Sequence, residues 1–101
     1  MRATEHLRNA RTELLEGDGD ERLRLLYAAR SFRDALNGYR DWPTAVQVQA
    51  DSLRVRLGVD RPLVGRGPIA EAVAAMSDER LREVSDELWR FCEFSISAYR
   101  D

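Results

Sequence analysis

The chain has 101 residues, of which 44% are hydrophobic and 34% charged, with a formal net charge of −2. That length suits one domain around one hydrophobic core, and the apolar fraction is too high for a disordered tail. The charge-free runs Trp42 to Ala50 and Ser95 to Tyr99 fall well short of the roughly 20 apolar residues that cross a bilayer, so no membrane segment is expected.

The N-terminal stretch Met1-Arg2-Ala3-Thr4-Glu5-His6 carries an acid where a signal peptide has basic residues and then an apolar run. Cys92 is the sole cysteine, which excludes an internal disulfide and a thiolate cluster within one chain. Both observations point to a cytoplasmic protein. All 16 basic residues are arginine.

Ala3, Leu7, Ala10 and Leu14 recur at helical spacing and predict a helix over residues 2–16, ended by Gly17-Asp18-Gly19-Asp20. Asp20 is placed to cap a second helix, residues 20–39, with Glu21 in its first turn facing the helix dipole. Its core stripe is Leu25, Ala28, Ala29, Phe32, Ala35, Leu36 and Tyr39. Leu23, Leu26 and Tyr27 lie off that stripe and call for a second neighbour, most simply the first helix folded back as an antiparallel hairpin.

Pro43 suits the first turn of a third helix, residues 43–58. This stretch reads two ways. Val46, Ala50, Leu53 and Leu57 form a helical stripe, yet Val46, Val48 and Ala50, then Leu53, Val55, Leu57 and Val59, alternate as strands do. A lone two-stranded hairpin is marginal, which favours the helix. On that reading Val48, Val55 and Val59 make a second apolar line, and the helix is expected to be packed on both sides.

Asp60 to Gly67 is rich in helix breakers. A short helix follows over residues 68–75, and then a long one over residues 78–99 with Ser77 as its cap. The apolar arc of the last helix holds Leu81, Val84, Leu88, Phe91, Cys92, Ser95, Ile96 and Tyr99, with Trp89 at its edge, whereas Phe94 points with the charged residues. The expectation is an all-α bundle of four longer helices and one short helix, a single domain over residues 1–101.

Chemistry-bearing groups are few. His6 lies in a helix near the chain end, and Cys92 falls on an apolar arc where its thiolate is disfavoured. Glu79, Glu83 and Glu87 line up on a polar face, and Asp86 with Arg90 has ion-pair spacing. A helical di-iron site would want inward Glu and a Glu-x-x-His pair, which the sequence lacks. Gly65-Arg66-Gly67-Pro68 matches no phosphate-binding fingerprint and reads as a connector, the alternative being an anion site at the helix start with Arg61 and Arg66. No catalytic residue, metal, cofactor or small-molecule substrate is expected, and the chain reads as a non-enzyme.

Two contact surfaces are candidates. Trp89, Phe91, Phe94 and Tyr99 place four large rings in eleven residues, and aromatic residues concentrate at protein interfaces. Trp89, Phe94 and Tyr99 are the predicted partner-binding residues of an interaction module, serving as a small accessory or adaptor subunit or as a homo-oligomer. The alternative rests on charge. Residues 52–70 carry four arginines against one acid, and Arg54, Arg56, Arg61 and Arg66 are the candidates for contact with nucleic-acid phosphate. The low overall charge makes nucleic acid the less favoured partner.

Overall fold

In the computed structural model, which describes residues 2–60 and 67–98, five α-helices follow one another. They are α1 (Ala3–Glu16), α2 (Glu21–Ala35), α3 (Thr44–Arg56), α4 (Pro68–Ala74) and α5 (Asp78–Ala98), with a 3-10 turn at Leu36–Asp41. The described residues contain no strand, so the alternating valines of α3 are helical. The fold is the expected all-α bundle.

Local signals set the helix ends. The Asp20 side chain accepts from the Leu23 N–H at 2.9 Å, and the Ser77 hydroxyl accepts from the Arg80 N–H at 3.1 Å, each satisfying a donor that the first helical turn leaves open. Gly58, at φ 67°, closes α3. Its N–H donates to the Val55 carbonyl and the Val59 N–H to the Arg54 carbonyl, the double closure that a left-handed residue allows at a helix end. Gly19, at φ 91°, turns the chain between α1 and α2, where an added Cβ would lie 2.4 Å from the Leu23 side chain.

α1 and α2 form the predicted hairpin, and α5 lies against α1, α2 and α3. The core joins Leu7 and Ala10 of α1, Leu25 and Phe32 of α2, Val46 and Leu53 of α3, Ile69 and Val73 of α4, and Leu81 to Cys92 along α5. At its centre the Phe32 and Phe91 rings meet edge to face, 5.4 Å between centroids and 89° apart. Trp42, just ahead of α3, adds a third ring 6.1 Å from Phe91 and is buried. Gln47 holds this turn by donating to the carbonyls of Trp42 and Arg40 at 2.8 and 3.1 Å.

Three expectations are corrected. α2 ends at Ala35 rather than Tyr39, because Asn37 and Gly38 propagate a helix poorly and the chain tightens into the 3-10 turn. Leu23 and Leu26 line a groove with Ala70, Val73 and Ala74 of α4, so α4 as well as α1 borders α2. α3 is packed on one side only. Val46, Ala50, Leu53 and Leu57 are fully buried, while Val48 is 64% and Val55 73% exposed; of the second valine line, only Val59 packs against the core.

Candidate functional site

α5 carries the predicted aromatic surface and distributes it around the helix. Phe91 and Cys92 are buried, Trp89 is half-buried and Phe94 is 37% exposed. Trp89 lines a shallow groove of about 350 Å³ with Leu14 and Leu15 of α1, Glu21, Arg24 and Ser85. Phe94 lies five residues further on, about 140° away around the helix axis. The two rings therefore face different neighbours and do not form one patch. Tyr99 lies outside the described residues.

Two arginines of the basic middle, Arg54 and Arg56, are engaged within the molecule. Arg54 donates to the Tyr39 hydroxyl at 2.6 Å, to Asp51 at 3.2 Å and to Asp60 at 2.9 Å, and its guanidinium also lies over the Tyr39 ring at 4.9 Å. The hydrogen bond to Asp60 raises its pKa above the ordinary arginine value, against a smaller opposing effect of burial. Arg56 reaches across to Glu87 of α5. Each cation of this pair is thus offset by a carboxylate, and neither presents an unpaired charge to a phosphate. Arg61 and Arg66 lie outside the described residues.

Between α3 and α5 runs a groove of about 530 Å³, with Val48, Gln49, Ser52 and Arg56 on one wall and Glu83, Asp86, Glu87 and Arg90 on the other. Leu53 and Phe91 form its floor. Its charges are matched: Arg56 with Glu87, Arg90 with Asp86 at 2.8 Å, and Arg80 with Glu83 at 3.3 Å. The polar face predicted for Glu79, Glu83 and Glu87 is in part this ion-paired wall. These carboxylates stand on an open, charge-matched surface.

Cys92 is buried, and the removal of water from around it pushes its pKa up from 9.0 to about 12; Arg11 opposes this and Glu93 adds to it. The thiol is therefore protonated across the physiological range and behaves as an apolar group. His6 is partly exposed on α1. Among the described residues no group of three or more His, Cys, Asp or Glu side chains is placed to hold a metal ion, and no helix is long and apolar enough to cross a membrane.

Sequence reasoning missed the outer face of α3. The second apolar line of Val48, Val55 and Val59 was legible in the spacing, but it suggested a helix covered on both sides. Comparison with protein-family models, with curated proteins and with solved structures returned no match.

Proposed function

We propose that the chain is a non-catalytic protein-interaction module, a small accessory or adaptor subunit that docks on another protein through the Phe94 side of α5. The supporting observation is Phe94 itself, a phenyl ring 37% exposed on a helix whose core arc is already complete. Rings of this kind gain most from burial against a partner, and aromatic anchors carry much of the energy of protein interfaces. The neighbouring exposed charges Arg90 and Glu93 supply a polar rim. A protein partner is favoured over nucleic acid because Arg54 and Arg56 already hold carboxylates. A cytoplasmic location accompanies this reading, since a free thiol at Cys92 suits a reducing compartment.

The test compares wild type with Phe94→Asp, and with Asn37→Asp at an exposed position in the 3-10 turn, in quantitative capture of binding proteins from the native host. Phe94→Asp is expected to lose the captured protein at least tenfold, on the order of the 2 kcal/mol of an interface hot spot, with helical content unchanged and Asn37→Asp binding as wild type. Equal capture by all three chains, or capture by none, overturns the proposal.

A further inference from the structure

We infer that the groove between the α1–α2 turn and α5 is a docking site for a basic amphipathic segment of a partner protein. Leu14 and Leu15 of α1 and Trp89 of α5 give this groove, about 350 Å³, its apolar wall. Leu15 is 60% exposed and Trp89 is half-buried. The inward face of α1 is already covered, with Leu7 and Ala10 in the core and Leu14 packed against it, so Leu15 contributes little to the fold's own packing.

The charge around this wall selects the occupant. Between Arg11 and Arg22 the chain carries five acids, Glu13, Glu16, Asp18, Asp20 and Glu21, and no base. Asp20 is taken up in capping α2, and Glu21 lies 4.0 Å from Arg82. Glu13, Glu16 and Asp18 have no cationic partner among the described residues. Arg24 also lines the groove, but its Nε is held by the Gly19 carbonyl at 3.1 Å. Five acids against Arg24 and Arg82 still leave an excess of three negative charges. The helix adds to this excess. The last turn of α1 holds Glu13 and Glu16 and no basic residue, although the carbonyl end of a helix dipole favours a cation. Negative charge is thus set upon negative charge beside an open apolar wall, and a positively charged partner relieves it. Arginine and lysine fit both halves of the site, because their stems lie along apolar surface while their heads reach carboxylates. An indole such as that of Trp89 is also the best ring for a stacked cation. The occupant is therefore an arginine- or lysine-rich segment with apolar anchors. Trp89 and Phe94 face different sides of α5, so this site is separate from the docking at Phe94 and does not depend on it.

The experiment titrates the full chain into a labelled helical peptide of leucine and arginine in amphipathic order, read by fluorescence anisotropy at low salt. Two control peptides carry glutamate in place of arginine and serine in place of leucine. Wild type should bind the first peptide at least about tenfold more tightly than either control, and should lose affinity as salt rises. Glu16→Arg, Asp18→Arg and Leu15→Ser should each weaken binding at least about threefold, as loss of a surface charge pair or a small apolar contact implies. Asp41→Arg, which reverses an exposed acid beyond the far end of α2, should bind as wild type does, and so should Phe94→Asp. In the free chain, Glu16→Arg should raise the midpoint of thermal unfolding, because it removes an acid from the negative end of α1. No binding of the leucine–arginine peptide, equal binding of the serine control, equal weakening by Asp41→Arg, dependence on Phe94, or a lower midpoint in Glu16→Arg overturns the inference.

Discussion

Arg22, in the first turn of α2, donates to the carbonyl of Val73 at the far end of α4 across 2.6 Å. The same nitrogen reaches the Met76 carbonyl at 2.8 Å, and the other terminal nitrogen reaches Asp78 at 3.2 Å. A side chain from α2 thereby satisfies carbonyls at and beyond the end of a seven-residue helix, one too short to be stable on its own. Arg22→Ala should cost about 1.5 to 3 kcal/mol in urea unfolding, the range for hydrogen bonds to a charged group. Arg22→Lys should recover only part, because an ammonium lacks the planar fork that serves both carbonyls and Asp78. Hydrogen exchange should speed up in α4 before α1. Uniform exchange across both helices in Arg22→Ala would show that the contact does not hold α4.

The edge-to-face pair Phe32 and Phe91 joins α2 to α5 at the centre of the core. Phe91→Ala leaves a cavity bordered by Phe32 and Trp42 and should cost about 3 to 5 kcal/mol, a large part of the 5 to 15 kcal/mol typical of a domain. A double-mutant cycle with Leu at both positions should give a coupling of about 0.5 to 1.5 kcal/mol beyond lost area. Strict additivity of the two substitutions would mean that the rings contribute volume alone.

Burial of Cys92 makes the stability of the fold depend on pH at the alkaline end. Its pKa is pushed up to about 12 in the folded chain, from 9.0, so above pH 9 the unfolded state loses a proton that the folded state keeps. The stabilisation from that retained proton difference is whole below pH 9 and is lost as pH rises toward 12, at about 1.4 kcal/mol per pH unit. Cys92→Ala should remove this slope, seen as the difference between the two chains' unfolding free energies across that window. In the folded wild type the thiol should react with a disulfide reagent at neutral pH only as fast as the chain opens. Parallel pH profiles for the two chains would place the thiol in a wetter setting than its burial implies.

The ion pairs of Arg54 and Arg56 carry a prediction about phosphate. Glu87→Gln frees Arg56 from its partner on α5 at a stability cost below about 1 kcal/mol, since the pair is partly exposed. In wild type, binding to single- or double-stranded nucleic acid at low salt should be undetectable by fluorescence anisotropy. Tight binding that falls steeply with salt would reinstate the arginines as a phosphate-contacting surface.

Much of this architecture is legible along the chain. The stripe Leu25, Ala28, Ala29, Phe32 and Ala35 and the caps Asp20 and Ser77 are local signals, and the structure uses each of them as read. Pro43 and Gly58 bracket α3 and settle its ambiguity in favour of a helix. What periodicity cannot convey is which neighbour covers a stripe. Leu23 and Leu26 announce a second contact, but that α4, about fifty residues later, supplies it follows from tertiary packing. Val48 and Val55 were expected inside for the same reason: their spacing marks an apolar face without saying whether this chain covers it. Arg22 and Trp42 gave no periodic signal, because one acts through carbonyls of a distant helix and the other sits between helices. Of the proposed contact surface, Phe94 was legible because it breaks the arc of α5, whereas the separation of Trp89 from it follows from the five-residue interval once α1 covers one side.

The proposed docking of α5 on a partner protein at Phe94 can be tested in place. The most direct measurement places a photo-reactive phenylalanine analogue at position 94, and separately at Asn37, and irradiates the native host. A discrete protein adduct is expected from position 94, one partner at a defined mass, with little or none from position 37. An equal pattern at both positions, or no adduct at position 94, would contradict it.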